Sequence, residues 1–210
     1  MRTLVIDTAT AACSVALLDG DAVIDHAHVV VRRGHAERLV PLIAALSDGG
    51  RADAILVDCG PGSFTGIRVG IAAARGLGIG WGVPVAGYRS TALVATMATQ
   101  PAAGYGVARC AVVQEGGHGE VFVELFDGGQ PAAPLASLTP AQAALAVAGW
   151  PVFGDGVRHL DTGTELLPDA RAARWLPDAQ RRLPPVPIYG RAPDAKPMPT
   201  APAGGVASPA

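Results

Sequence analysis

The segment of this chain best suited to chemistry is Gly60-Pro61-Gly62-Ser63-Phe64-Thr65-Gly66-Ile67-Arg68-Val69-Gly70. It follows the apolar run Ala54-Ile55-Leu56-Val57 and precedes a helical pattern, so its backbone N–H groups would open a helix and could hold an anion. No lysine follows the glycines, which excludes a P-loop, and Thr65 stands where a dinucleotide fingerprint needs its third glycine. Pro61 and Thr65 occupy the positions where a nucleophile elbow requires glycine, so Ser63 is not expected to be a nucleophile. Two readings stay open for Gly60, Pro61, Gly62, Ser63, Thr65 and Gly66. One is an anion loop; the other is a tight strand-to-helix turn in which Ser63 or Thr65 caps the helix and the glycines permit close packing. The residue types favour the turn.

Other chemical candidates are weaker. Asp7 ends the first apolar run and could hold a hydrated Mg²⁺ beside a nucleotide, although a lone aspartate there is more often a turn former. His26 and His28 would share one face of a strand without a third ligand nearby, which reads as an edge-strand pair. His118-Gly119-Glu120 lacks the Pro-Cys-x-x-Cys partner of a deaminase. Cys13, Cys59 and Cys110 are isolated from one another and form no Cys-x-x-Cys, so they are expected as buried thiols of a reducing cytosol, with no metal site and no cofactor.

The elements that must position these residues follow from periodicity. Residues 3–6, 13–18 and 22–31 read as three antiparallel strands, with Asp19-Gly20-Asp21 as a hairpin turn. Residues 35–46 carry Leu39, Leu42, Ile43 and Leu46 at helical spacing, with a kink expected at Pro41. Residues 54–57 form a strand buried on both faces, a helix covers about residues 67–81, residues 83–87 form another strand, and Ser90 or Thr91 caps a helix to about residue 100. After a boundary at residues 101–106, the strands 107–113 and 120–126, a weaker third run, a helix capped by Thr139-Pro140 and the strand 151–153 repeat the opening in shortened form. The expectation is an α/β protein of two related βββαβα domains, residues 1–101 and 102–192, followed by a disordered Pro- and Ala-rich tail, 193–210.

Composition bounds the function. Of 210 residues, 50% are hydrophobic and 16% charged, so a large core can form and disorder of the whole is excluded. The net charge of -2 supplies no basic field for autonomous nucleic-acid binding. The start is too short for a secretory signal and the Gly/Ala-rich stretch around residues 66–87 carries Arg68 and Arg75, so a cytoplasmic protein without a membrane span is expected. Gly66, Gly70, Ala73 and Ala74 give the helix a face nearly free of side chains, which either admits a helix of another subunit or packs on the domain's own sheet.

Asp7-Thr8-Ala9-Thr10 with Cys13-Ser14-Val15-Ala16, His35-Ala36-Glu37-Arg38-Leu39-Val40-Pro41-Leu42, the Gly60-to-Arg68 string, Gly119-Glu120-Val121-Phe122, Gly154-Asp155-Gly156 and Pro187-Ile188-Tyr189 together resemble the TsaB (YeaZ) family over about residues 1–196. The resemblance implies the actin-like ATPase superfold. It also implies a noncatalytic subunit of the machinery that installs threonylcarbamoyl on the adenosine next to the anticodon of ANN-reading tRNAs. Its partners would be a TsaD-like catalytic paralogue and a TsaE-like ATPase, with a homodimer when alone and tRNA met only through the complex. The catalytic paralogue's metal-binding histidine pair falls here on Ser90 and Val94, which cannot ligate a transition metal. Pairing through the first-domain helices would place His35, Leu39, Leu42, Ile43, Leu46, Ile67, Gly70, Ile71, Ala74 and Gly78 at a subunit interface, so bulk at Gly70 or Ala74 is expected to block pairing and spare the fold. The sequence departs from the family at residues 115–118, Glu-Gly-Gly-His in place of a segment carrying Asp-Ala-Arg. It departs again at Ala9 and Thr10, which weaken the superfold's Asp-x-Gly-Thr phosphate hairpin, so no intrinsic ATP turnover is expected. The alternatives are a small actin-like kinase, a glycoprotease-like hydrolase, or a self-associating module.

Overall fold

The computed structural model describes residues 1–191; the expected tail at 193–210 lies outside them. Strands β1 (Arg2–Asp7), β2 (Ala12–Asp19) and β3 (Ala22–Val30) form the expected antiparallel meander. Helix α1 (His35–Ala45) leads to β4 (Ala54–Asp58), α2 (Phe64–Trp81), β5 (Val85–Tyr88) and α3 (Ser90–Thr99). The first sheet has the order β3-β2-β1-β4-β5, with β4 parallel to both β1 and β5. Residues of β1 and β4 are buried on both faces, which is why their sequences are unbroken apolar runs.

Two details differ from the periodicity. Helix α1 runs on through Pro41, because Leu39 and Ile43 on either side are anchored in the core while the proline itself faces outward. Helix α2 begins at Phe64, almost a turn before the apolar pattern, because Ser63 caps it: Gly66 N–H donates to Ser63 Oγ at 3.2 Å. Thr65 is exposed and caps nothing, and Ser90, buried inside the first turn of α3, is not its cap.

In the second half, β6 (Arg109–Gly117) and β7 (Glu120–Asp127) pair antiparallel, the short β8 (Gln130–Pro131) and β9 (Ala136–Leu138) both pair with β7, and α4 (Pro140–Ala146) leads to β10 (Val152–Phe153), parallel to β6. The order β10-β6-β7-β8 thus repeats the first sheet's arrangement with fewer residues. Thr139 and Gln142 form a reciprocal capping box at α4. The helix α3 explains its apolar composition: Leu93, Val94 and Ala95 are buried among Val5, Ala16, Cys110, Val112 and Phe126, drawn from both sheets. A second core lies under α1 and α2, and a third, smaller one under α4. All three cysteines are buried and free. Among the described residues, no helix is long and apolar enough to cross a membrane.

Candidate functional site

The loop at residues 60–66 is packed onto the turn after β1. Ser63 N–H donates to Ala9 O at 2.6 Å, and Thr8 Oγ1 donates to Gly66 O at 2.8 Å. A Cβ at Gly62 would lie 2.2 Å from Ala9 O, and one at Gly66 would lie 2.0 Å from Thr8 O, so two backbones meet where no side chain fits. The glycines therefore serve close packing, and Ser63 is held as a cap.

Behind this loop lies a buried polar cluster. Tyr88 Oη donates to Asp7 Oδ2 at 2.8 Å, and Gly60 N–H donates to Asp58 Oδ1 at 2.7 Å. Both carboxyls and the tyrosine are fully buried, and the two carboxyls face each other. Asp7 Oδ1 and Asp58 Oδ2 have no hydrogen-bond partner. Two ionised oxygens cannot face each other in that setting, so the pair shares a proton. Burial pushes the Asp7 carboxyl up to about 6, and burial with the neighbouring Asp7 charge pushes Asp58 well above the ordinary carboxylate range. Asp7 is thus sealed, with no oxygen open to a hydrated cation, and the Mg²⁺ expectation does not hold. Sequence reasoning missed Asp58, although its place at the end of an apolar strand, like that of Asp7, was a usable signal.

On the outer side of the loop a cleft of about 440 Å³ opens between the two halves of the chain. Its walls include Arg32, Ser63 and Phe64 from the first half and Gln114, Glu115, Asp155 and Arg158 from the second. Glu115, in the segment that departs from the family, pairs with Arg158 and with His159 Nε2, the latter at 3.0 Å. Glu115 N–H donates to Asp155 Oδ1 at 3.0 Å, and burial raises the Asp155 carboxyl to about 6. His118, at φ 54°, meets the Arg191 guanidinium. His26 and His28 lie on the edge strand β3, and no group of three or more His, Cys, Asp or Glu among the described residues could hold a metal.

The interface residues expected from the first-domain helices are placed otherwise. Leu39, Ile43 and Leu46 of the α1 region do meet Ile67, Ile71 and Ala74 of α2, but within this chain's own core, with Leu42 half-buried against it. Buried His35 staples α1 to the turn after β1, its Nε2 lying 2.9 Å from Thr10 O and 3.2 Å from Ala12 O. Gly70 faces Thr8 and Gly78 faces Val85, with virtual Cβ distances of 2.4 Å to Thr8 Oγ1 and 2.5 Å to Val85 Cγ2. The row Gly66-Gly70-Ala74-Gly78 therefore seats α2 on its own sheet, and bulk there would attack the fold. The opposite face of α2 carries a second small row, Ala72-Gly76-Gly80, which is exposed, and Cβ atoms at Gly76 and Gly80 would meet only open space. Ile79 beside it is 85% exposed, and Val40 on α1 is 59% exposed. That outer face is what the structure leaves for a partner helix.

Comparison with known proteins bears on these features. Residues 29–130 match the model of the TsaD family, tRNA N6-adenosine threonylcarbamoyltransferase. An uncharacterized protein of Mycobacterium tuberculosis (strain H37Rv) is 35% identical over 93% of this chain and 94% of its own length. The tRNA threonylcarbamoyladenosine biosynthesis protein TsaB of Escherichia coli is 42% identical over 92 residues, 41% of this chain and 39% of that protein. The solved structure of YeaZ from Pseudomonas aeruginosa superposes with a TM-score of 0.73 at 28% identity, covering 90% of this chain and 99% of that one.

Proposed function

The chain belongs to the TsaB (YeaZ) family, and from that premise we propose that it is a noncatalytic scaffold subunit in tRNA threonylcarbamoyladenosine biosynthesis, pairing with a TsaD-like transferase. Its architecture is that of the actin-like ATPase superfold, an α/β fold with a full first sheet and a shortened second one. The transferase carries the chemistry on the adenosine next to the anticodon of ANN-reading tRNAs, and this chain meets tRNA through the complex, in keeping with its net charge of -2. A TsaE-like ATPase docks on the heterodimer in the cytoplasm, and the same surface gives a homodimer when the paralogue is absent.

The observation that carries this reading is the outer face of α2. Small residues four apart form a straight row on one side of a helix and let a second helix approach closely, while Ile79 and the neighbouring Val40 supply apolar surface for it. A noncatalytic role is supported by the sealed Asp7 and by Ser90 and Val94, both buried and neither a metal ligand.

Reconstitution tests the proposal. The full chain, a TsaD-like transferase, a TsaE-like ATPase, tRNA and threonylcarbamoyl donor are mixed and modified adenosine is measured. Modification is expected only when this chain is present, with no ATP hydrolysis by the chain alone. Modification at an undiminished rate without it, or ATP turnover by the isolated chain, would refute the scaffold role.

A further inference from the structure

The polar groups of the turn after β1 are spent inside the protein. Asp7 is closed by Tyr88 and Asp58, Thr8 Oγ1 is given to Gly66 O, and Thr10 O lies within hydrogen-bond distance of His35 Nε2. The unspent donors lie on the other side of the cleft. Phe64 and Thr65, the first two residues of the eighteen-residue helix α2, have N–H groups with no carbonyl one turn behind them, at the positive end of the helix dipole. Gln114, only 1% exposed, lines the same cleft, and its Nε2 has no hydrogen-bond partner. Its Oε1 lies 3.0 Å from Ser90 Oγ, which also contacts Pro61 O at 2.6 Å, so the amide is tied to the loop that starts α2. A buried amide donor without an acceptor costs stability unless a ligand or water supplies one.

The charges in the cleft sort in the same direction. Arg158 is neutralised by Glu115, and Arg191 contacts His118 and Glu120. Arg32 lines the cleft, has no carboxylate partner among the described residues, and is held in a left-handed conformation at φ 56°. The acidic groups in the walls are engaged: Glu115 by Arg158 and His159, Asp155 by Glu115 N–H.

We propose that this cleft binds a phosphate group at the start of α2, held by the N–H groups of Phe64 and Thr65, the side-chain amide of Gln114 and the Arg32 guanidinium. The four are donors only, and phosphate is an acceptor with oxygens pointing in several directions, so it can engage backbone, amide and guanidinium together. The volume of about 440 Å³ exceeds one phosphate and leaves room for the group that carries it, which is either a free nucleotide or the end of an RNA. The site is independent of the scaffold reading, because it needs only this chain.

Binding of inorganic phosphate, 5′-AMP and a 5′-phosphorylated RNA oligonucleotide to the isolated full chain is measured by calorimetric titration. Saturable binding of at least one is expected. Arg32→Ala should weaken it about tenfold or more, Arg33→Ala should leave it unchanged, and Gln114→Glu should abolish it by turning the donor into a carboxylate. Circular dichroism and melting on each variant separate lost binding from lost folding, and Arg32→Ala, on the surface, is the variant that decides. Equal affinity for all three ligands supports a site for the phosphate alone; a gain for AMP or for RNA supports the site and identifies its source. No saturable binding of any of them, or a folded Arg32→Ala variant that binds as tightly as the parent, would overturn the proposal.

Discussion

Replacing Asp58 by Asn should stabilise the protein at neutral pH. In the parent, Asp7 and Asp58 face each other in full burial and hold a proton that the unfolded chain releases near the ordinary carboxylate pKa. The folded state binds more protons than the unfolded state, so this pair's contribution to stability is complete below a pH of about 3.8 and is lost as pH rises. One retained proton costs about 1.4 kcal/mol per pH unit, so the climb of the Asp7 group from 3.8 to about 6 alone amounts to about 3 kcal/mol. The nearby charge of Asp169 on Asp7 acts in the same sense. In Asp58→Asn the amide oxygen can still accept from Gly60 N–H, while the amide nitrogen donates to the orphaned Asp7 Oδ1 without an added proton. Urea unfolding of parent and variant across about pH 5 to 8 should show the variant gaining on the parent by about 1.4 kcal/mol per pH unit. Parallel profiles, or a variant less stable than the parent at every pH, would refute the shared proton. Asp58→Ala, which supplies no donor and leaves Gly60 N–H unpaired, should lose stability.

Gly66→Ala would push a Cβ to 2.0 Å from Thr8 O and should destabilise by about 3 kcal/mol or prevent folding, as read by thermal melting. Thr139→Ala removes half of the α4 capping box and should cost about 1 kcal/mol in the same assay. The thiols of Cys13, Cys59 and Cys110, pushed by burial up to about 11, 12 and 12, should stay unreactive towards an aromatic disulfide reagent in the native protein and react together once it is unfolded.

The meander β1 to β3, the buried β4 and the capped α4 were legible in the sequence because each depends on local signals: alternation, an Asp-Gly turn, an unbroken apolar run, Thr-Pro at a helix start. The start of α2 was harder, since Phe64 and Thr65 are exposed and carry no apolar period, leaving Ser63 as the sole marker. The orientation of α2 was misread for a definite reason. The helix has small residues on two faces, and nothing local distinguishes Gly70-Ala74-Gly78, which abut Thr8, Val57 and Val85, from Ala72-Gly76-Gly80, which abut nothing. The usable signal was Arg68 and Arg75, which lie on the outer side with the second row. Tyr88 meeting Asp7 and Gln114 meeting Ser90 join residues far apart in sequence, and no periodicity reports where such side chains point.

The outward row of α2 is the centre of the account, and Gly76→Leu probes it most directly. A leucine there enters open space and replaces a helix-interior glycine, so the isolated chain should fold and gain up to about 1 kcal/mol. Light scattering on size-exclusion fractions of the chain mixed with a TsaD-like transferase should show a one-to-one species for the parent and separate components for Gly76→Leu. A complex formed equally well by the folded variant, or none formed by the parent, would contradict the pairing surface.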